Sequence, residues 1–251
     1  MINITKELRI SSFLAWRDLR ARYAQTVLGP WWSMINLAVV LIGSSVAVAL
    51  ISGTSPRDQA PRIAVGLAIW TLVSNALSEA STLFESERGM MLNTTVSELA
   101  VVYQLLLRNN IIFLHNAIVI VATFLLSGRG LPIELLALFP LIAVTSLSLL
   151  LPVLLVARWS LFVGDLKIFL PAIVQFSFFL TPVLWSPPET GLAARLTLFN
   201  PFSWPLEFAR ILIFENKADY LHLFLLLVFS LAGLIVLFFS FTRLRSVRKY
   251  L

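Results

Sequence analysis

The sequence contains no cysteine, which excludes disulfide bonds, thiolate catalysis and cysteine-ligated metals. Charged residues are also scarce: they make up 13% of the 251 residues, against about 25% in a typical soluble domain. No polar stretch is long enough to build a hydrophobic core of its own. The composition therefore predicts one domain, residues 1–251, embedded in a membrane.

Motifs that carry a reaction or convert energy are missing as well. The sequence has no GxxxxGK[ST] phosphate loop, no GxSxG elbow and no HExxH pair. Ion-coupled carriers place ionisable groups inside the bilayer, whereas the apolar runs here contain almost none. His115 is the exception, and it is either a proton relay or a hydrogen-bonded structural histidine. We therefore expect no catalytic residue, metal or cofactor on this chain.

Hydrophobic residues, in contrast, make up 59% of the chain. A transmembrane helix needs about 20 consecutive apolar residues. We therefore predict an all-α integral membrane protein with six transmembrane helices. The six runs without a formal charge that support this prediction are 23–56, 63–78, 109–128, 135–157, 168–188 and 220–242.

The net charge of +6 is distributed unevenly along the chain. With the N-terminus inside, 13 Lys and Arg residues fall on inner segments and six on outer segments. Because cytoplasmic segments are enriched in Lys and Arg, both termini are predicted to be cytoplasmic. The positive charge thus reports membrane topology and gives no reason to expect a nucleic-acid partner. The first 22 residues, interrupted by charges, do not resemble a cleavable signal peptide.

Residues 1–24 are predicted to form an amphipathic helix that lies along the membrane surface. Apolar residues recur at helical spacing, and basic residues supply the polar side, a pattern typical of interfacial helices. A plain cytoplasmic extension is the alternative. The dipeptide Gly29-Pro30 marks the expected bend between this helix and the first span. The apolar residues are Ile4, Leu8, Ala15 and Leu19, and the basic residues are Lys6, Arg9, Arg17 and Arg20.

Two connecting segments are unusual. The inner segment 83–101 contains Thr95-x-x-Glu98, a capping-box pattern, so a short helix, a break near Gly89 and a new helix start are predicted. The outer segment 186–219 contains an apolar stretch, 196–206, that is too short to span a bilayer. Asn200-Pro201 interrupts this stretch, which favours a re-entrant piece at the mouth of a pathway.

Aromatic and amide side chains are the groups within the apolar runs that could contact a cargo. The chain has 19 Phe, 7 Trp and 4 Tyr residues, and aromatic faces offer apolar platforms on which the C–H faces of sugar rings can stack. A conduit for a polar polymer is one interpretation; an interfacial belt or core packing is the other. The candidate pathway residues are Trp31, Trp32, Asn36, Trp70, Asn75, Phe176, Phe178 and Phe179.

Three stretches of the sequence resemble one known family. Arg17-Asp18-Leu19, Arg22-Tyr23, Thr26, Leu28-Gly29 and Trp32 resemble the N-terminal motif of the membrane subunits of ABC exporters for cell-surface polysaccharides, the type-two permeases for O-antigen, capsule or teichoic acid. Residues 89–99, with Asn93, resemble the family's inner loop. Asn200-Pro201, followed by Glu207 and Arg210, resembles its outer segment.

The resemblance implies a homodimer in the bacterial inner membrane together with two copies of a separate ATPase, which binds the ATP. A lipid-linked glycan would approach near the interfacial helix and pass between the two copies. The inner loop would dock on the ATPase, and the outer helices would gate the exit.

The resemblance also suggests roles for charged residues. Arg17, Arg20 and Arg22 would receive the pyrophosphate of a lipid-linked donor, or else anchor the helix on anionic lipids. The segment with Glu85, Glu87 and Arg88, taken to be exposed and without internal partners, would couple to the ATPase, or else be a solvated loop.

The gate would contain Asn200, Pro201, Glu207 and Arg210. Glu207 and Arg210 are spaced i, i+3, and an exposed pair of this kind contributes only about 0.2–0.5 kcal/mol, enough to orient a helix.

Three rival classes are compatible with part of the sequence. An ABC permease for a drug, a lipid or haem would have the same fold. A secondary carrier would need ion-binding groups within its spans, which the sequence does not supply. A membrane-embedded enzyme would need an acidic or histidine cluster at one face, and nothing near Glu85 and Glu87 completes such a site.

Overall fold

The computed structural model describes residues 4–94, 96–188 and 190–241, and side chains from residue 9 to residue 235 within these ranges. The regular structure found there is helical. The elements are α1 (Ile4–Tyr23), α2 (Trp31–Ser52), α3 (Pro56–Ala80), α4 (Leu83–Ser86), α5 (Arg88–Asn93), α6 (Glu98–Ser127), a 3₁₀ turn (Ile133–Ala137), α7 (Leu138–Trp159), α8 (Leu166–Leu180), α9 (Leu192–Phe199), α10 (Trp204–Glu215) and α11 (Tyr220–Phe241).

Four helical segments are long and apolar enough to cross a membrane: α2, α3, α6 and the continuous stretch Ile133–Trp159. Two further apolar helices, α8 and the portion Tyr220–Ile235 of α11, are shorter. With 15 residues at about 1.5 Å each, α8 reaches roughly 22 Å, less than a hydrocarbon core of about 30 Å. The chain is therefore a multi-pass membrane protein.

Helix α3 occupies the centre of the bundle. In an apolar 18-residue stretch of α3, 72% of the residues are buried, whereas the corresponding value for α2 is only 22%. It packs against α2, α6, α7, α8 and α10. Several small residues of α3 are buried among these helices, such as Ala64, Gly66, Ala68 and Ala76, and they allow close approach of neighbouring backbones.

The chain bends between α1 and α2 where the sequence predicts it. Helix α1 ends at Tyr23 and α2 begins at Trp31, directly after Pro30 as the N-cap residue. Gly29 has φ +55°, a left-handed conformation that a residue with a Cβ adopts only at a cost. This glycine therefore sets the change of direction between the two helices.

The inner segment differs from its prediction in two details. The break lies at Glu87, between α4 and α5, and Gly89 is inside α5. The N-cap of α6 is Ser97, whose hydroxyl accepts a hydrogen bond from the Ala100 amide at 3.1 Å. Thr95, the predicted cap, lies outside the described residues, as do the four C-terminal cations Arg243, Arg245, Arg248 and Lys249 of the topology argument.

Candidate functional site

Helix α1 is held on the bundle by an apolar strip. Leu14, Ala15 and Leu19 are buried, and α1 packs mainly against α6. Ser11 adds a hydrogen bond, its hydroxyl donating to the Ala100 carbonyl at 3.0 Å. The strip is spaced i, i+1, i+5, so one face of α1 contacts protein. Phe13 remains exposed on another part of the helix.

A buried arginine connects three helices at the end of the bundle that the sequence predicts to be cytoplasmic. Arg108 of α6 pairs with Asp18 of α1 and with Glu79 at the end of α3. Arg22 of α1 also pairs with Glu79, with Nη2 3.0 Å from Oε1. The Arg108 side chain is only 7% exposed, so the two carboxylates compensate a charge that water hardly reaches. We call Asp18, Arg22, Glu79 and Arg108 the inner charge cluster.

The sequence analysis did not find this cluster. It counted Arg108 only among the 13 Lys and Arg residues of the inner segments, placed Asp18 in a family motif without a role, and assigned no role to Glu79. The sequence contained a signal for the cluster, because charged residues at the ends of apolar runs lie at similar depth when they are on the same side of a membrane. The pairing itself depends on which helices are neighbours. Arg158 and Glu98, which join α7 to α6 at 2.6 Å, were missed for the same reason.

The premise that the inner segment lacks internal partners is wrong. Glu87 pairs with Arg17 at 3.5 Å and accepts a hydrogen bond from the Gln104 amide at 2.9 Å. Glu85 pairs with Lys167, which begins α8, at 2.6 Å. The short helices α4 and α5 are thus tied to α1, α6 and α8.

The three arginines predicted to bind a headgroup are in different situations. Arg17 and Arg22 form the ion pairs described above. Arg20 is exposed, makes no ion pair with any residue described here, and lies over the Trp16 ring at 5.3 Å from its centre. Of the three, Arg20 is the one whose charge is not already compensated by a carboxylate.

At the end of the bundle that the sequence predicts to be outer, Asn200 joins the connection before α10 to the end of α8. Its amide nitrogen donates to the Thr181 hydroxyl at 3.0 Å, and its side-chain oxygen accepts from the Phe202 amide at 3.0 Å. The Asn200-Pro201 turn therefore separates α9 from α10 and fixes α10 against the end of α8.

Glu207 and Arg210 are buried, so the expectation of an exposed pair is wrong. Their exposed fractions are 5% and 2%. Arg210 donates to the backbone carbonyls of Pro182, Val183 and Trp185, and its Nη1 lies 3.4 Å from Glu207 Oε1. This outer clamp, as we call it, binds α10 to the three carbonyls that follow α8. An arginine suits this task because its fork presents several donors at once.

The electrostatics of the clamp follow from its burial. Burial raises the pKa of the Glu207 carboxyl above its ordinary value, and the positive charge of Arg210 opposes that shift. Burial lowers the pKa of Arg210 to about 10, with Glu207 acting in the opposite direction. The guanidinium is therefore still protonated at neutral pH and retains all of its donors.

Gly66 of α3 makes room for the clamp. A Cβ atom at this position would lie 2.9 Å from Arg210 Nη2 and 3.0 Å from the Val183 carbonyl oxygen. We expect Gly66→Ala to destabilise the protein by about 1–3 kcal/mol, because a packed site cannot absorb the extra methyl group. A thermal melt of the purified protein measures the effect.

Gly43→Ala is the matched control for that prediction. Gly43 also lies inside a helix, α2, and an added Cβ would meet nothing within 4 Å. Alanine is favoured over glycine in a helix by roughly 0.5–1 kcal/mol, so the control is expected to be neutral or stabilising. Equal melting temperatures for the two variants would contradict the steric role of Gly66.

The predicted pathway aromatics divide into buried and exposed groups. Trp70 is buried, and its ring lies 5.6 Å from that of Phe178 and 6.3 Å from that of Phe202, both in edge-on contact. Phe178 in turn contacts Phe179 at 5.7 Å. Phe179 and Phe176 are 70% and 64% exposed. Aromatic rings thus extend from the core of α3 to an uncovered face of α8.

The remaining pathway candidates lie elsewhere. Trp31, Trp32 and Asn36 are exposed positions at the start of α2, and Asn75 is half-buried on α3. His115 Nδ1 lies 2.8 Å from the Ile111 carbonyl oxygen, one helical turn away, the geometry expected of a structural histidine.

Comparison with known proteins adds one match. A family described as "ABC-2 type transporter" matches residues 11–214, which run from the middle of α1 to the last turn of α10 and so include the inner charge cluster and the outer clamp. No curated protein matched the chain.

Proposed function

Since the chain belongs to the ABC-2 type transporter family, we propose that it is the membrane subunit of an exporter of lipid-linked polysaccharide, in which two copies of the chain form a homodimer. Membrane subunits of this family work with an ATPase chain and are transport permeases. In the proposed complex two copies of the ATPase bind the ATP, and this chain holds no cofactor. The cargo moves from the cytoplasmic to the outer side.

The proposed arrangement has six spans: α2, α3, α6, the stretch Ile133–Trp159, α8 and α11. Helix α8 is short, and the turns on either side of it would have to reach the two interfaces. Residues 1–24 lie along the inner surface, and α9 and α10, within 186–219, form the re-entrant outer segment. Both termini are cytoplasmic in this arrangement, as the Lys and Arg distribution favours. The membrane is the bacterial inner membrane, as the resemblance to polysaccharide exporters implies.

One observation carries the cargo assignment: α8 presents Phe176 and Phe179 on a face that no other described part of the chain covers. In a homodimer such faces are available to line a conduit between the copies. Aromatic rings bind the C–H faces of sugars without the deep polar pocket that would stop a long polymer from sliding. Trp31 and Trp32 provide similar exposed rings on α2.

The inner segment 83–101 is the proposed contact with the ATPase. Glu85 is 58% exposed although it pairs with Lys167, and Arg88 is exposed. A docked ATPase would therefore contact a segment in which another charged residue, Glu87, is bound to α1 through Arg17. Through this contact, ATP hydrolysis on the docked chain would act on α1. Arg20, the unpaired arginine of α1, is the candidate for binding a lipid pyrophosphate.

A second cargo class is favoured by a different feature. An apolar groove of about 430 Å³ lies between α2, α3 and α6, lined by residues such as Met34, Leu41, Ile118 and Val119. An ABC permease for a lipid or an apolar drug would use such a groove. The two cargo classes differ in what stimulates the transporter.

The test is reconstitution of the chain with its ATPase in lipid vesicles. We expect a lipid-linked glycan to stimulate ATP hydrolysis, and Phe176→Ala with Phe179→Ala to weaken the apparent glycan affinity about tenfold, the value of one or two lost aromatic contacts. Phe139→Ala is the matched control, since Phe139 is a similarly exposed phenylalanine on α7.

Three outcomes would contradict the proposal. The first is stimulation by an apolar drug or free lipid but not by the glycan, which would favour the second cargo class. The second is an equal loss of affinity in the control variant. The third is cargo movement against a gradient in vesicles that contain this polypeptide alone.

A further inference from the structure

A cavity of about 640 Å³ opens beside the outer clamp. It lies between the outer end of α3, the segment after α8, and helices α9, α10 and α11. Its volume is in the range of sites for small molecules, about 300–1,000 Å³. Its walls combine charged groups with apolar ones, among them Arg62, Pro187, Pro188, Arg195, Glu207 and His222.

Three acidic side chains that the structure describes in and next to this cavity have partners. Each of them is matched by a basic or hydrogen-bonding group of the chain itself. The pairs are Glu207 with Arg210 at 3.4 Å, Glu215 with Lys217 at 3.7 Å, and Asp219 with His222. The negative charge of these three side chains is therefore largely compensated before any ligand binds.

The two arginines of the cavity are not matched in this way. Neither Arg62 nor Arg195 forms an ion pair with a residue in the described ranges. The Nε atom of Arg62 is buried and has no hydrogen-bond partner in that part of the chain. A buried donor without a partner costs free energy. Arg62 lies one helical turn before Gly66 on α3, so its guanidinium is close to the clamp but is not part of it.

An anion would complete this arrangement. Guanidinium groups bind carboxylates in a two-pronged geometry that a single lysine does not offer. The apolar lining of Pro187, Pro188 and Leu198 suits the C–H face of a ring. We propose that the cavity binds an acidic monosaccharide unit, a sugar ring carrying a carboxylate, with Arg62 and Arg195 on the carboxylate. This inference rests on the proposed function and specifies the class of glycan as one with acidic sugars.

The experiment measures binding of methyl glucuronide and of methyl glucoside to the complex with its ATPase in phosphatidylcholine nanodiscs, by saturation-transfer NMR. The two probes differ only at C6, which is a carboxylate in the glucuronide and a hydroxymethyl group in the glucoside. We expect the glucuronide to bind at least about tenfold more tightly, and Arg62→Gln with Arg195→Gln to remove that difference, since a charge-assisted hydrogen bond accounts for a factor of this size. Arg129→Gln, which alters an exposed arginine outside the cavity lining, is the control and should retain the preference.

The comparison of the two probes on the unaltered protein does not depend on the variants folding, and melting temperatures report whether they do. Equal binding of both probes would overturn the proposal, as would an unchanged preference in a folded double variant. Loss of glucuronide binding when phosphatidylglycerol replaces phosphatidylcholine would assign the cavity to a lipid headgroup and also overturn it. Glucuronide binding without glycan-stimulated hydrolysis would overturn the proposed function alone, and the reverse result would overturn only the cavity assignment.

Discussion

Replacing Arg210 by glutamine is expected to lower the free energy of unfolding by about 3–5 kcal/mol, the usual cost of breaking a buried ion pair by removing one partner. Arg210 satisfies three backbone carbonyls after α8 and compensates Glu207, and its side chain is only 1% exposed. Glutamine cannot reach all of these acceptors and leaves the carboxylate uncompensated. A thermal melt of the purified complex is the measurement, with an expected decrease of about 10 °C.

Two further variants make this prediction specific. Adding Glu207→Gln to Arg210→Gln removes the uncompensated charge and should recover part of the lost stability. Lys217→Gln changes a cation whose side chain is 75% exposed and should leave the melting temperature unchanged. If Arg210→Gln melted like the parent protein, the clamp would not hold α10 in place. If the second substitution deepened the loss, Glu207 would have a partner other than Arg210.

The second large effect is expected at the inner charge cluster. Arg108→Gln would leave Asp18 and Glu79 without their shared cation and weaken the attachment of α1 to the bundle. We expect amide hydrogen exchange in α1 to become about a hundredfold faster, the consequence of losing roughly 3 kcal/mol from local stability. Hydrogen-exchange mass spectrometry of peptides from residues 4–23 measures this.

The control for Arg108 is another arginine that links α1 to the bundle. Arg17 pairs with Glu87 at 3.5 Å, and its side chain is 49% exposed, so Arg17→Gln should change exchange in α1 only slightly. Combining Arg108→Gln with Asp18→Asn leaves only the balanced pair Arg22–Glu79 in the cluster and should restore much of the protection. Unaltered exchange in the single variant would mean that the apolar strip of α1 is sufficient to hold it.

The division of the chain into helices could be predicted because local features decide it. Long uncharged runs become helices in a membrane, since every backbone donor and acceptor must then be satisfied within the segment. Gly29-Pro30 and Asn200-Pro201 separate helices in the structure, as their backbone preferences require. The break in the inner segment was misplaced because Glu87, with no local signal for a break, interrupts the helix.

The partners of charged residues could not be predicted, because burial is a property of packing. Glu207 and Arg210 have the spacing of an ordinary exposed pair, yet α10 turns them towards the carbonyls after α8. Arg108 looks like a topology marker until α1, α3 and α6 are brought together at its side chain. Gly66 has no local signal either, since its role arises from the close approach of Arg210.

The helical membrane fold, the ABC-2 family and the lack of an energy-converting motif can all be read from consecutive residues, because composition, apolar run length and short motifs are local properties of the chain. Which charges are compensated and which remain available depends on packing, because an ion pair between residues 90 positions apart, as between Asp18 and Arg108, forms only where packed helices bring the two side chains together.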